Sequence, residues 1–209
     1  MARIITTWND SIQRFRRTGT WAGLLLLAGC SKTADCDQCD TLVVSATGEP
    51  ATLVPPLVAE TVGRDISDLV FERLAVLRTG AAPVDTSAFE PGLAERWQRV
   101  DSAGWRFTLR PGAVWSDGTP VTAGDVVFSF AAAVDTALGA PAAGALGGVT
   151  VTADGTNQVV IRFPTRSPEQ LFDATYHVRI IPKHRWDSIP RSQWAADTGV
   201  GRLIGSGSK

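Results

Sequence analysis

The chain has 209 residues, with 20 basic and 21 acidic side chains and 44% hydrophobic residues. That length gives one full domain or two small ones. A net charge of −1 without a basic cluster beyond the N-terminus argues against a nucleic-acid partner.

The first segment reads as a targeting signal. Arg14, Arg16 and Arg17 supply positive charge ahead of the apolar run Trp21 to Leu27. That run is too short for a stable transmembrane helix. It ends in Leu27-Ala28-Gly29-Cys30, the pattern of a bacterial lipobox, in which the signal is cleaved before the cysteine and the thiol takes a lipid. An ordinary secretory signal with an incidental Cys30 is the alternative. The expected organisation is a signal over 1–29, a lipidated polar tether over 30–40, and a folded part over 41–209. Cys36 and Cys39, as Cys-Asp-Gln-Cys, lie in the tether. An oxidising envelope suits a disulfide there, with free thiols, a redox pair or half a zinc site as the other readings.

Thr41 to Ala46, rich in β-branched residues, predicts a buried strand, followed by a loop over 47–50. Ile66, Leu69, Val70 and Leu74 recur at helical spacing, so residues 64–77 predict a helix and then a strand, with Asp65 and Asp68 in the helix's first turn. A loop covers 80–87. Trp105, Phe107 and Leu109 alternate with Arg106, Thr108 and Arg110, which predicts a half-buried strand. Asp117-Gly118 signals a turn. Thr122 with Asp125 three residues on is a box of the capping type, opening a helix whose apolar face runs from Val126 to Val134.

Residues 137–148, rich in small side chains, predict a loop. Residues 148–153 and 158–163 predict a hairpin across Asp154-Gly155. A helix is expected from Ser167-Pro168 to Ala174, a strand over 177–181, and one helical turn over 182–186. The alternation of strands and helices argues for α/β or α+β layering. There is no internal repeat and no phosphate-binding glycine motif.

Five fragments carry a resemblance: Asp68-Leu-Val-Phe-Glu-Arg-Leu74, Pro91-Gly-Leu-Ala-Glu-Arg-Trp97, Trp115-Ser-Asp-Gly118, Val121-Thr-Ala-Gly-Asp-Val-Val-Phe-Ser129 and Ile180-Ile-Pro-Lys-His184. In this order behind a lipobox, they resemble the N-terminal portion of the family 5 extracellular solute-binding proteins of bacterial ABC importers. The resemblance implies an α/β, periplasmic binding protein-like type II fold, two-lobed in the family. This chain would cover part of lobe I, with a mixed sheet and flanking helices. It also implies capture of an oligopeptide or similar solute (peptide, nickel, haem and oligosaccharide binders share these motifs) and delivery to an ABC permease and ATPase. A monomer held at a membrane surface facing the periplasm is expected, with no cofactor and no catalysis.

The sequence departs from the family at Leu53-Val-Pro55, where Leu-Asp-Pro is usual. Residues 205–209 resemble only the start of a segment after which family members continue into a second lobe, so a fragment, a truncated product and a complete small domain all stay open.

Candidate site residues are few. The loop after the first strand lies at the cleft in the family, which points to Glu49 and Pro50 as ligand-facing, with Glu49 suited to a positive amine. Asp117 reads as a cap of its turn, with a general base as the alternative; Asp125 reads as a helix cap. Trp115, Asp117, Gly118 and Asp125 form the structural signature. Trp105 and Trp115 are expected to pack the sheet rather than stack on ligand, and His177 and His184 to be structural or surface imidazoles.

Overall fold

The computed structural model describes residues 48–196 and 204–206. The expected strand Thr41–Ala46, and Cys30, Cys36 and Cys39, lie outside the described residues. Those that are described belong to one compact unit, Ser45–Lys209.

A short 3-10 turn at Pro55–Leu57 leads into α1 (Thr61–Val70). This helix starts three residues ahead of the sequence expectation. Its N-cap, Glu60, makes no side-chain cap bond, so no local signal marked the start. Asp65 and Asp68 therefore fall outside the first turn. Leu69, which helical spacing puts on the apolar face, is exposed, whereas Leu74 lies beyond the helix and is buried. Then come β1 (Ala75–Leu77) and β2 (Phe89–Pro91), paired antiparallel as a small sheet of their own.

β3 (Ala94–Asp101), β4 (Gly104–Leu109), β5 (Thr150–Asp154) and β6 (Gln158–Arg162) form the main sheet in the order β3-β4-β6-β5. Every ladder is antiparallel, so among the described residues the sheet is not mixed as expected. The expected β5–β6 hairpin is present; it turns over residues 155–157, closed by the Asp154–Gln158 pair, with Gly155 at φ +75°. β4 is more buried than simple alternation implies. Trp105, Phe107 and Leu109 face the core, while Thr108 on the opposite face is also covered, as befits a central strand.

α2 (Ala123–Ala133) packs on β5 and β6. Two 3-10 turns, Thr136–Leu138 and Pro141–Ala143, lie in the segment read as loop. α3 (Gln170–Tyr176) begins after the Ser167-Pro168 pair, which instead forms a turn in which Ser167 Oγ accepts the Glu169 N–H.

The expected strand over 177–181 is absent. Val178, Ile180 and Ile181 are buried, but the segment joins no ladder. Its backbone bonds go instead to Glu72 O and Ser129 Oγ. An apolar run marks burial, not ladder pairing. α4 (Lys183–Trp186) is the expected single turn. The core gathers Phe71, Leu74, Leu93, Phe107, Trp115, Val126, Phe130, Ile161, Ile180 and Trp194.

Candidate ligand-binding site

The signature turn is built locally. Val114 bridges Pro120, and Trp115 donates its N–H to Thr119 O at 2.8 Å. Asp117 Oδ1 accepts the Thr119 N–H at 2.9 Å, and Gly118 sits at φ +83°, the left-handed conformation that favours glycine. Trp115 is 1% exposed and its ring fills the core. Its Nε1 and that of Trp105 are buried without a partner among the described residues. Both indoles therefore occupy the packing positions expected of them.

Asp117 reaches a second element. Its Oδ2 lies 2.8 Å from His184 Nε2 on α4. The Thr119 amide first, and His184 next, hold the Asp117 carboxyl down to about 2. A carboxylate that acidic accepts hydrogen bonds but is a poor base near neutral pH.

Asp125 does more than cap. Its Oδ2 accepts both the Thr122 N–H and the Thr122 hydroxyl at 2.8 Å, while Oδ1 accepts the Lys183 N–H at 2.8 Å. Ser129, one turn on, donates to Asp125 O and accepts the Ile181 N–H at 2.9 Å. The helix opened by Val121-Thr122 is thus bolted to the segment Ile180–His184.

Glu72 is a second junction. Its carboxylate grips Arg110 through two bonds of 2.8 and 2.7 Å, and Arg110 also donates to Gly92 O. This hydrogen bonding holds the Arg110 guanidinium above its ordinary pKa despite burial. Glu72 O accepts the Ile180 N–H, and Glu72 N donates to Ser206 Oγ. Gly92 and Leu93 bond Leu74 and Arg73 in turn. The five motif fragments therefore meet one another. They are a scaffold, and sequence reasoning missed this because each partner lies far along the chain.

Glu49 and Pro50 sit apart from that scaffold. Glu49 is exposed and Pro50 half-buried. The loop beyond them is fixed at both ends. Ala51 N–H bonds Glu60 Oε1 at 2.8 Å, and the Pro55–Leu57 turn packs beside α1, α2 and the Pro141–Ala143 turn. Backbone N–H groups, its own first and that of Ala51 next, hold the Glu60 carboxyl below its ordinary range. Glu60 gave no signal in the sequence.

Another titratable pair is His177 with Asp173, 3.6 Å apart at the end of α3. Burial lowers the His177 pKa and raises that of Asp173, so both are pushed towards neutrality. Among the described residues no group of three or more His, Cys, Asp or Glu side chains is placed to hold a metal, and no helix is long and apolar enough to cross a membrane.

Comparison with known proteins decides the family. The model for the middle part of the bacterial extracellular solute-binding proteins, family 5, matches residues 88–208. The chain belongs to this family. It is similar to the periplasmic oligopeptide-binding protein OppA of Escherichia coli, at 39% identity over 101 residues, 48% of this chain and 18% of OppA. Its fold matches the solved E. coli murein tripeptide binding protein MppA, with a TM-score of 0.63 and 29% identity over 78% of this chain and 33% of MppA. Haemophilus influenzae OppA, solved with the peptide RPPGFSPFR, shares the fold at a TM-score of 0.64 and 23% identity, over 77% of this chain and 33% of that one. The periplasmic binding protein type II fold expected from the sequence is thus present, and the match spans about a third of each solved relative.

Proposed function

We propose that this chain is the first-lobe part of a substrate-binding component of an ABC importer. It captures an oligopeptide in the cell envelope and passes it to a membrane permease. The observation that carries the reading is the family match over residues 88–208, which contains the Asp125–Lys183 junction and the Arg110 and Ile180 partners of Glu72. OppA and MppA, by their names, bind oligopeptides and a murein tripeptide, and that is the reason for proposing a peptide.

In this reading the loop with Glu49 and Pro50 faces the ligand, and Glu49 holds the peptide amine. Its anchorage to Glu60, α1 and α2 supports it as a preformed wall. A second lobe closes over the peptide, and the free energy comes from contacts in a dehydrated cleft, with no bond broken. Cys30 carries the lipid, Cys36 and Cys39 form a disulfide in the tether, and the protein works as a monomer with no enzymatic activity.

The test is tryptophan fluorescence of the native membrane-extracted protein, titrated with tri- to pentapeptides, after its intact mass has shown how far the chain extends. Saturable binding that weakens in Glu49→Gln supports the reading. Binding that depends on Cys36 and Cys39, or none at all, overturns it.

A further inference from the structure

A cleft of about 200 Å³ lies between β1 and α3. Pockets for drug-sized ligands run to roughly 300–1,000 Å³, so this one holds a side chain or two and not a whole solute. One wall is a strand edge. Arg78 N–H bonds Ala88 O and Gly92 N–H bonds Leu74 O, which fixes the residues of β1 that pair with β2 as Leu74, Val76 and Arg78. Alternation then turns the N–H and C=O of Ala75 and Leu77 to the other side, where no strand lies among the described residues. Ala75 is covered, so the accessible groups are those of Leu77 and, one step on, Thr79. A strand edge that no other described strand covers is a template for an extended chain.

The opposite wall is aromatic. Tyr176, 40% exposed, stacks on Phe172 with ring centroids 4.6 Å apart. The Arg73 guanidinium lies 4.9 Å from the centre of the Tyr176 ring. Asp68 is shared by Arg73 at 2.8 Å and Arg179 at 2.7 Å, so two guanidiniums meet one carboxylate and an excess positive charge remains. Arg78 at the rim is mostly exposed and only loosely paired with Glu90 at 3.4 Å.

We propose that this cleft is a peptide subsite: an extended main chain adds to the outer edge of β1 at Leu77, one side chain packs on Tyr176, and an anionic group of the peptide pairs with the Arg73 and Arg78 charges. The proposal rests on the peptide-capture reading but places contacts in a different part of the surface from Glu49.

The probe is acetyl-Val-Thr-Val-Glu titrated into the 15N-labelled full chain. Amide shifts centred on Leu77, Thr79 and Tyr176 are expected. Methylating the peptide nitrogen that faces β1 should weaken binding at least tenfold, while methylating the adjacent nitrogen leaves it within about twofold. The amidated Gln analogue and Arg78→Gln should each weaken binding severalfold; both leave the core untouched. Shifts confined to residues 48–60 overturn this inference while leaving peptide capture standing. Equal affinity for both methylated peptides, or no shift anywhere, also overturns it.

Discussion

Asp125 and Lys183 are 58 residues apart in the chain, yet the Asp125 carboxylate accepts the Lys183 backbone N–H at 2.8 Å. One side chain thereby starts two helices, α2 through Thr122 and α4 through Lys183. Asp125 is 4% exposed, and removing it leaves two part-buried amides without their acceptor.

Asp125→Ala is therefore expected to destabilise the fold by about 2–4 kcal/mol, a lost cap plus a lost charged hydrogen bond. Asp125→Asn keeps one acceptor oxygen and should cost about half as much. Urea unfolding of the three proteins checks this, and equal stability of Asp125→Ala and the parent would contradict the junction.

The Glu72–Arg110 pair is bidentate and only partly exposed, at 20% and 29%. A double-mutant cycle with Glu72→Gln and Arg110→Met should return a coupling of about 1–2 kcal/mol, above the range of exposed pairs. A coupling near zero would mean that the junction is held by the Glu72 backbone alone.

Asp117 carries a pH dependence of known sign. Its folded pKa of about 2 lies below the ordinary value of 3.8. The stability it contributes is fully present above the unfolded pKa and is lost as pH falls through about 4 towards about 2. The group is exposed, so the effect is modest. Asp117→Asn should flatten the melting-temperature profile below pH 4 and leave its slope at neutral pH unchanged; parallel profiles would remove Asp117 from the account.

Backbone approach is the limit at Gly92. A Cβ there would stand 2.4 Å from Arg73 O. Gly92→Ala must push the β2–β3 corner off β1 and is expected to cost about 1–3 kcal/mol. Gly80→Asn, where a side chain meets open space, is the control and should change stability little. Thermal melts of both variants decide between them.

Features with local causes were legible in the sequence. The Thr122–Asp125 box and the Asp154-Gly155 hairpin depend on neighbours within a few residues, and both stand where the sequence puts them. Features set by distant partners were not. Residues 177–181 looked like a strand because they are apolar, yet Glu72 and Ser129 satisfy their backbone from elsewhere in the chain. Leu69 fits a helical period but faces outward. The candidate site was legible only through resemblance. Glu49 has no local pattern that sets it apart from any surface glutamate, and the Asp117–His184 contact joins two residues read separately.

Glu72 N–H finds Ser206 Oγ across 134 residues, and Ser116 N–H finds Gly205 O beside it. During synthesis the Glu72 amide waits while 134 residues are made, and the Ser116 amide waits for Gly205. Contacts of such sequence separation form late, because the loop must close before they repay its entropy. The native setting of Glu72 and Ser116 thus waits on the segment that carries Gly205 and Ser206.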